Sequence, residues 1–142
     1  MKIAIGNDHA GVEFKNKIMQ ELRSKGYEIV NMGTDTLDSV DYPDFAKEVS
    51  EKVLKGEVKF GILICGTGIG ISIAANRIKG IRAALCHNEY TAKLARFHND
   101  ANIIALGARV LGTDLGLACI EAFVNTEFEG GRHARRVGKI EL

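Results

Sequence analysis

The stretch Ile62-Leu63-Ile64-Cys65-Gly66-Thr67-Gly68-Ile69-Gly70 lies in mid-chain and is the most informative part of the sequence. It is an apolar run that ends in a cysteine and passes directly into a glycine-rich loop. An apolar run with glycine at both ends is typical of a strand buried on both faces, as in a parallel sheet covered by helices. The Ala- and Ile-rich segment from Ile69 to Asn76 predicts a short helix after the loop. Cys65 is therefore expected at the carboxyl end of a buried strand.

The backbone N–H groups of this loop and of the helix N-terminus are expected to converge just beyond Cys65. Such a place favours negative charge, because the N–H groups carry positive partial charge and donate hydrogen bonds. A thiolate would be stabilised there, and so would an anionic substrate or intermediate. The stretch thus predicts a reactive cysteine beside an anion-binding loop.

Apolar runs alternate with helical patterns along the whole chain, which is typical of repeated strand–helix units. We predict an α/β fold with a single Rossmann-like, doubly wound domain over residues 1–142. It consists of a five-stranded parallel sheet with helices on both faces, and its ligands gather at the carboxyl ends of the strands. The strands are predicted at 2–6, 28–31, 60–65, 81–86 and 102–106.

The composition argues against several classes of function. With 19 basic and 18 acidic residues and a net charge of +1, bulk charge gives no reason to expect nucleic-acid binding. No apolar run approaches the roughly 18 residues that span a bilayer. Met1-Lys2 leads straight into a strand-like segment without room for a signal peptide, so we expect a cytoplasmic protein. The cysteines, Cys65, Cys86 and Cys119, form no C-x-x-C pair, so neither zinc nor a disulfide framework is expected.

The character of the chain changes from about residue 127. Residues 130–139 are basic, interrupted by glycine and poor in apolar side chains. We expect this basic C-terminal tail to be solvated, as charged termini usually are, and not to pack as a core element. Arg132 and Arg136 are four residues apart, however, and on a helical turn they would face the same way and could bind a phosphate.

Two familiar loop motifs do not fit the stretch around Cys65. A dinucleotide fingerprint needs G-x-G-x-x-G, but Ile71 and Ile73 stand where the third glycine would be. A phosphatase loop of the tyrosine-phosphatase type needs an arginine six residues after the cysteine, and Ile71 occupies that place. The remaining interpretation is a cysteine whose loop binds an oxyanion that is not itself attacked.

Five motifs together resemble the ribose-5-phosphate isomerase B family, which also has members acting on allose or galactose 6-phosphate. The resemblance runs from end to end of the chain, and Cys65 places the chain in the thiol branch rather than the branch that uses a carboxylate. It implies a Rossmann-like homodimer or dimer of dimers that interconverts aldose and ketose phosphates without metal or cofactor. The motifs are Asp8-His9-Ala10-Gly11, Asp41-Tyr42-Pro43-Asp44, Cys65 to Gly70, His98-Asn99-Asp100-Ala101-Asn102 and Gly131-Arg132-His133.

Aldose–ketose isomerisation needs a base at C2 and stabilisation of an enediolate. Cys65 is expected to be the base, with Thr67 relaying a proton between the two oxygens. The N–H groups of the loop from Gly66 to Gly70, which includes Thr67, Gly68 and Ile69, would hold the enediolate oxygen. The resemblance further implies that His98 opens the sugar ring and that Tyr42 lies near the site. It assigns sugar hydroxyls to Asp8 and Asn99, and the phosphate to His9, Arg109, Arg132 and Arg136.

Other interpretations stay open at this point. Asp8 could cap a helix, Tyr42 could be a packed aromatic, and His98-Asn99-Asp100 could be an ordinary helix-to-strand turn. His87 and His133 match no part of the chemistry and are taken as surface or supporting residues. The function could instead be isomerisation of a hexose 6-phosphate, or non-catalytic binding of a sugar phosphate.

The predicted topology separates His98 from Cys65 of the same chain. A helix of about nine residues between strands 81–86 and 102–106 rises ~1.5 Å per residue, an offset on the order of 13 Å. His98 and Asn99 would therefore lie at the edge opposite Cys65. If they act on the same sugar, they come from a partner chain, so we expect a homodimer with shared active sites.

Overall fold

The computed structural model describes residues 1–141, which form a five-stranded sheet flanked by six α-helices. All strand pairs are parallel, and the strand order is β2-β1-β3-β5-β4. This confirms the predicted α/β fold. The strands are β1 (Lys2–Asn7), β2 (Glu28–Asn31), β3 (Phe60–Cys65), β4 (Ala83–Leu85) and β5 (Ile103–Gly107).

The helices lie on both faces of the sheet, and the sheet separates two apolar clusters. On one face α1, α4 and α5 cover side chains such as Ile62 of β3, and on the other α2 and α3 cover Leu63. Burial of each such side chain stabilises the fold by about 1.5–3 kcal/mol. The helices are α1 (Val12–Ser24), α2 (Tyr42–Leu54), α3 (Ile69–Asn76), α4 (Glu89–Phe97), α5 (Thr113–Val124) and α6 (Arg132–Ile140).

The central strand β3 is buried along its whole length, as its apolar sequence predicts. It lies between β1 and β5, and its last residue, Cys65, is paired with Gly107. The chain leaves β1 toward β2 on one side and returns to β3 on the other. Adjacent carboxyl ends at such a reversal form a crevice where α/β folds bind ligands.

Two predictions at the edges of the fold differ from the structure. Strand β4 has three residues instead of six, because only Ala83–Leu85 are in register with β5, its one neighbour in the sheet. The C-terminal segment is largely exposed to solvent, as expected, but it forms the helix α6 and buries one residue, His133, which is 5% exposed. Within residues 1–141, no helix has the length and apolar character that crossing a membrane requires.

Candidate functional site

Cys65 ends β3 with its thiol facing the glycine loop. The residue is 5% exposed, and its Sγ accepts a hydrogen bond from the Gly68 N–H at 3.2 Å. An N–H donor aimed at sulfur is one of the contacts that stabilise a thiolate. The loop therefore places a hydrogen-bond donor where the sequence predicts one.

Gly68 is required at this turn for two reasons. Its φ of +79° lies in the left-handed region, which disfavours residues with a Cβ. A Cβ there would also lie 2.9 Å from the backbone carbon of Leu106 and 3.1 Å from the Gly107 nitrogen. The loop is thus held directly against the end of β5.

Two backbone N–H groups of the loop already donate hydrogen bonds to side chains at its start. The Ile69 N–H donates to Thr67 Oγ1 at 3.1 Å, in addition to the Gly68 contact with sulfur. The N–H groups of Gly66 and Thr67 donate to no group within residues 1–141. These two amides are therefore available to an incoming substrate oxygen, whereas those of Gly68 and Ile69 would first have to exchange partners.

Asp8 and His9 lie at the neighbouring carboxyl end of β1. Asp8 is 7% exposed, its N–H donates to the Ile64 carbonyl at 3.2 Å, and its Oδ1 accepts the Ala10 N–H at 3.0 Å. Asp8 therefore does cap a turn, and its second carboxylate oxygen is still free of that cap. His9 Nδ1 accepts the Val40 N–H at 3.2 Å, so a neutral His9 ring carries its proton on Nε2.

Tyr42 and Arg109 lie against the same loop. A Cβ on Gly70 would be 2.7 Å from the Tyr42 ring, and one on Gly66 would be 3.1 Å from an Arg109 guanidinium nitrogen. A cavity of about 650 Å³ opens next to Tyr42, lined by Asp8, His9, Val40, Asp41, Tyr42, Pro43 and Asp44. We call the carboxyl-edge cluster the following set: Asp8, His9, Tyr42, Cys65, residues 66–70 and Arg109.

The other four candidate residues lie at the opposite side of the sheet, where the parallel strands begin. His98 is the C-cap of α4, and the Asn99 carbonyl accepts a hydrogen bond from Arg82, just before β4 begins. Strand β5 runs from Ile103, near this end, to Gly107, which pairs with Cys65. These four residue steps correspond to a distance of about 13 Å. Arg132 and Arg136 lie on α6, which packs near His98. We call His98, Asn99, Arg132 and Arg136 the amino-edge cluster.

His133, expected as a surface or supporting residue, is buried beside His98 at this edge. Its ring stacks on the His98 ring with a centroid distance of 4.3 Å and an interplanar angle of 12°. The motif Gly131-Arg132-His133 is the sequence feature that points to His133 as part of the site. The basic sequence around it, however, indicates exposure to solvent.

His98, Glu129 and His133 are the one group of metal-capable side chains within residues 1–141 whose ligand atoms lie close together, within 4.8 Å. A metal ion bound by two imidazoles lies near the plane of both rings. The two rings here are stacked at an angle of only 12°, so their planes do not meet within bonding distance of both rings. In this arrangement the group does not form a metal site.

The other two cysteines are packed in the core. Burial raises the pKa of Cys86 to about 11, and burial also raises the pKa of Cys119. Both are therefore thiols at neutral pH and poor nucleophiles or bases. Of the three free cysteines, Cys65 alone lies beside the glycine loop, at the end of β3.

The chain matches known proteins over nearly its whole length. The family model described as Ribose/Galactose Isomerase matches residues 3–140. Ribose-5-phosphate isomerase B of Escherichia coli (strain K12) is 48% identical over 139 residues, which cover 98% of this chain and 93% of that protein.

Solved structures of similar proteins superpose closely. Ribose-5-phosphate isomerase B of Clostridium thermocellum has a TM-score of 0.97 and 56% identity, covering 99% of this chain and 95% of that chain. Ribose-5-phosphate isomerase B from Mycoplasma genitalium, with bound ribulose-5-phosphate, has a TM-score of 0.93 and 43% identity, covering 98% and 93% of the two chains. With a family model and such relatives matched from end to end, this chain belongs to the ribose/galactose isomerase family.

Proposed function

We propose that this protein interconverts ribose 5-phosphate and ribulose 5-phosphate through an enediolate, with Cys65 as the base. The observation that carries the proposal is the Cys65 thiol at the strand edge, hydrogen-bonded to the Gly68 N–H beside an anion-binding loop. The relatives named ribose-5-phosphate isomerase B support the five-carbon substrate. We further propose that the reaction takes place in the cytoplasm without a metal or cofactor.

The proton transfers follow from the carboxyl-edge cluster. In the open-chain aldose, the Cys65 thiolate takes the proton from C2, and the charge moves onto O1 as the enediolate forms. The free N–H groups of Gly66 and Thr67 stabilise that oxygen. The Thr67 hydroxyl carries a proton from O2 to O1, and the Cys65 thiol returns its proton to C1, which leaves the ketone at C2.

The ring must be opened before C2 becomes acidic. In our proposal His98 moves the proton between the hydroxyl at C1 and the ring oxygen, while Asp8 and Asn99 hold sugar hydroxyls. The phosphate binds between His9 and the three arginines, because guanidinium groups bind phosphate oxygens in pairs. The arginines are Arg109, Arg132 and Arg136.

A single chain does not bring these groups together. The two clusters lie at opposite ends of β5, which is about 13 Å long. A twofold dimer, in which the amino-edge cluster of one copy meets the carboxyl-edge cluster of the other, assembles two complete sites. Ile69 and Ile73, 51% and 59% exposed and one helical turn apart on α3, supply an apolar surface beside the loop for such a contact.

Turnover of ribose 5-phosphate by the purified protein tests the proposal. Cys65→Ala should lower kcat by at least about a thousandfold while leaving much of the substrate affinity, since the thiol acts in the transition state. Cys86→Ala is the matched control, because that thiol is buried and protonated, and its kcat should stay near the unsubstituted value.

Near-normal turnover by the Cys65→Ala protein would remove Cys65 from the mechanism. Higher kcat/KM for allose or galactose 6-phosphate than for ribose 5-phosphate would assign the hexose substrate. Binding of ribose 5-phosphate without any turnover would assign a binding module.

A further inference from the structure

His133 is a buried titratable residue that the proposed reaction does not use. Its side chain is 6% exposed and its Nε2 atom has no hydrogen-bond partner within residues 1–141. The Glu129 carboxylate lies 3.3 Å from that nitrogen, but in a geometry that makes no hydrogen bond with it. A buried ring held beside the residue assigned to ring opening calls for a physical explanation.

The chain around His133 is fixed to the end of α4. The Glu129 N–H donates to the Phe97 carbonyl at 3.0 Å, and Arg96 Nε donates to the Thr126 carbonyl at 3.2 Å. Gly130 and Gly131, with φ of +75° and +58°, then turn the chain into α6. These contacts carry the His133 ring under His98.

The stack restricts the orientation of His98. His98 is only half-buried at a helix end, where an imidazole ordinarily samples several side-chain rotamers. A flat ring at 4.3 Å and 12° leaves one plane in which the His98 ring packs fully. Fixing that plane removes rotamers that point the reactive nitrogen away from the substrate.

The stacked partner is also uncharged at neutral pH. Burial lowers the pKa of His133, and His98, Arg132 and Arg136 lower it further, whereas Glu129 raises it. A neutral ring does not repel the positive charge that His98 acquires when it takes a proton.

We propose that His133 is a positioning residue, which holds the His98 imidazole by stacking in the orientation needed for opening the sugar ring. The proposal rests on the function proposed above. It assigns His133 no contact with the substrate.

The test separates ring opening from proton transfer at carbon. Ribulose 5-phosphate stays open-chain, because its C5 oxygen carries the phosphate and cannot attack the C2 ketone. Exchange of its C1 proton with deuterated water, followed by NMR, therefore needs Cys65 but no ring opening. Turnover of ribose 5-phosphate, which enters as a ring, needs both.

The matched variants are His133→Phe, which keeps a flat ring, and His133→Leu, which fills the space without one. We expect His133→Leu to lose about tenfold to a hundredfold in kcat for ribose 5-phosphate, with the exchange rate of ribulose 5-phosphate within about twofold of the unsubstituted protein. His133→Phe should keep both rates within about threefold.

Equal turnover by the Leu and Phe variants would overturn the proposal. So would a parallel loss of exchange and turnover in His133→Leu, which would indicate a general structural role. Absence of both rates in the unsubstituted protein would instead refute the isomerase function itself.

Discussion

The Tyr42 ring occupies the space that a side chain at position 70 would need, and Gly70 leaves that space free. A Cβ at Gly70 would lie 2.7 to 2.9 Å from two ring carbons and the hydroxyl oxygen of Tyr42. Tyr42 is 39% exposed, so its ring can move outward if it is pushed. The contact therefore affects the position of Tyr42 more than the stability of the fold.

Gly70→Ala should lower kcat/KM for ribose 5-phosphate by about tenfold, because it moves Tyr42 away from the loop. The melting temperature should fall by only a few degrees, roughly 1 kcal/mol or less, since an exposed ring gives way easily. Gly138→Ala in α6 is the control: a Cβ there meets nothing within 4 Å and should leave activity unchanged. Equal kcat/KM for the two variants would separate Tyr42 from catalysis.

At the scale of elements, a buried lysine anchors the loop that orients His9. Lys15 of α1 is 0% exposed, and its Nζ donates to the Thr34 carbonyl at 2.7 Å and pairs with the Asp35 carboxylate at 2.5 Å. Thr34 and Asp35 belong to the segment between β2 and α2, whose Val40 N–H binds His9. The charge of Lys15 is thus satisfied by the loop that forms one side of the candidate site.

The stability of this anchor should depend on pH. Hydrogen bonds from Lys15 and Asn31 hold the pKa of Asp35 below its ordinary value of 3.8 in the folded protein. The ionised carboxylate therefore adds stability above the unfolded pKa, about 4, and this stability is lost as the pH falls through the lower folded value.

Asp35→Asn should accordingly lose less stability than the unsubstituted protein between pH 5 and 2, roughly the range in which an Asp carboxyl titrates. At pH 7 it should be less stable by on the order of 1 kcal/mol, because the buried Lys15 loses its ionic partner. Urea unfolding at each pH measures both effects, and Asp38→Asn, an exposed residue of the same segment, is the control. Identical pH curves for the two variants would show that Asp35 does not carry this dependence.

Much of the sheet could be predicted from local sequence, because a strand buried on both faces is apolar at every position. Strand β3, apolar at every position from Ile62 to Cys65, has the predicted bounds 60–65. The predicted strand 81–86 is shortened to Ala83–Leu85, because the register with Ile103 to Ala105 sets its length and no local pattern encodes that register.

The candidate site also has a part that local sequence predicts and a part that it does not. The Cys65 loop could be placed from sequence, because its strand, glycines and helix are contiguous. The stack of His133 on His98 could not, because it joins segments 35 residues apart and buries a histidine inside a basic stretch. Its formation depends on tertiary contacts such as the bond between Glu129 and Phe97.

At the scale of the whole molecule, the two clusters at opposite edges make subunit mixing decisive. Cys65→Ala and His98→Ala proteins should each be inactive alone. After subunit exchange, half of the dimers are mixed and hold one intact site of two, so about a quarter of full activity should return.

Mixing Cys65→Ala with a protein that carries both substitutions is the control, because no dimer then has an intact site. Verified mixed dimers that remain inactive would contradict the shared site. An active monomer in sedimentation velocity would contradict it as well.

The strand order also has a consequence for the chain as it is synthesised. Strand β4 pairs only with β5, and β5 is the last strand to be made. Until residue 107 has left the ribosome, β4 has no sheet partner and one edge of β3 stays open. Unpaired strand edges recruit strands of other chains. A nascent chain that stalls between Leu85 and Ile103 would therefore expose an edge of the central strand β3, which β5 covers in the folded protein.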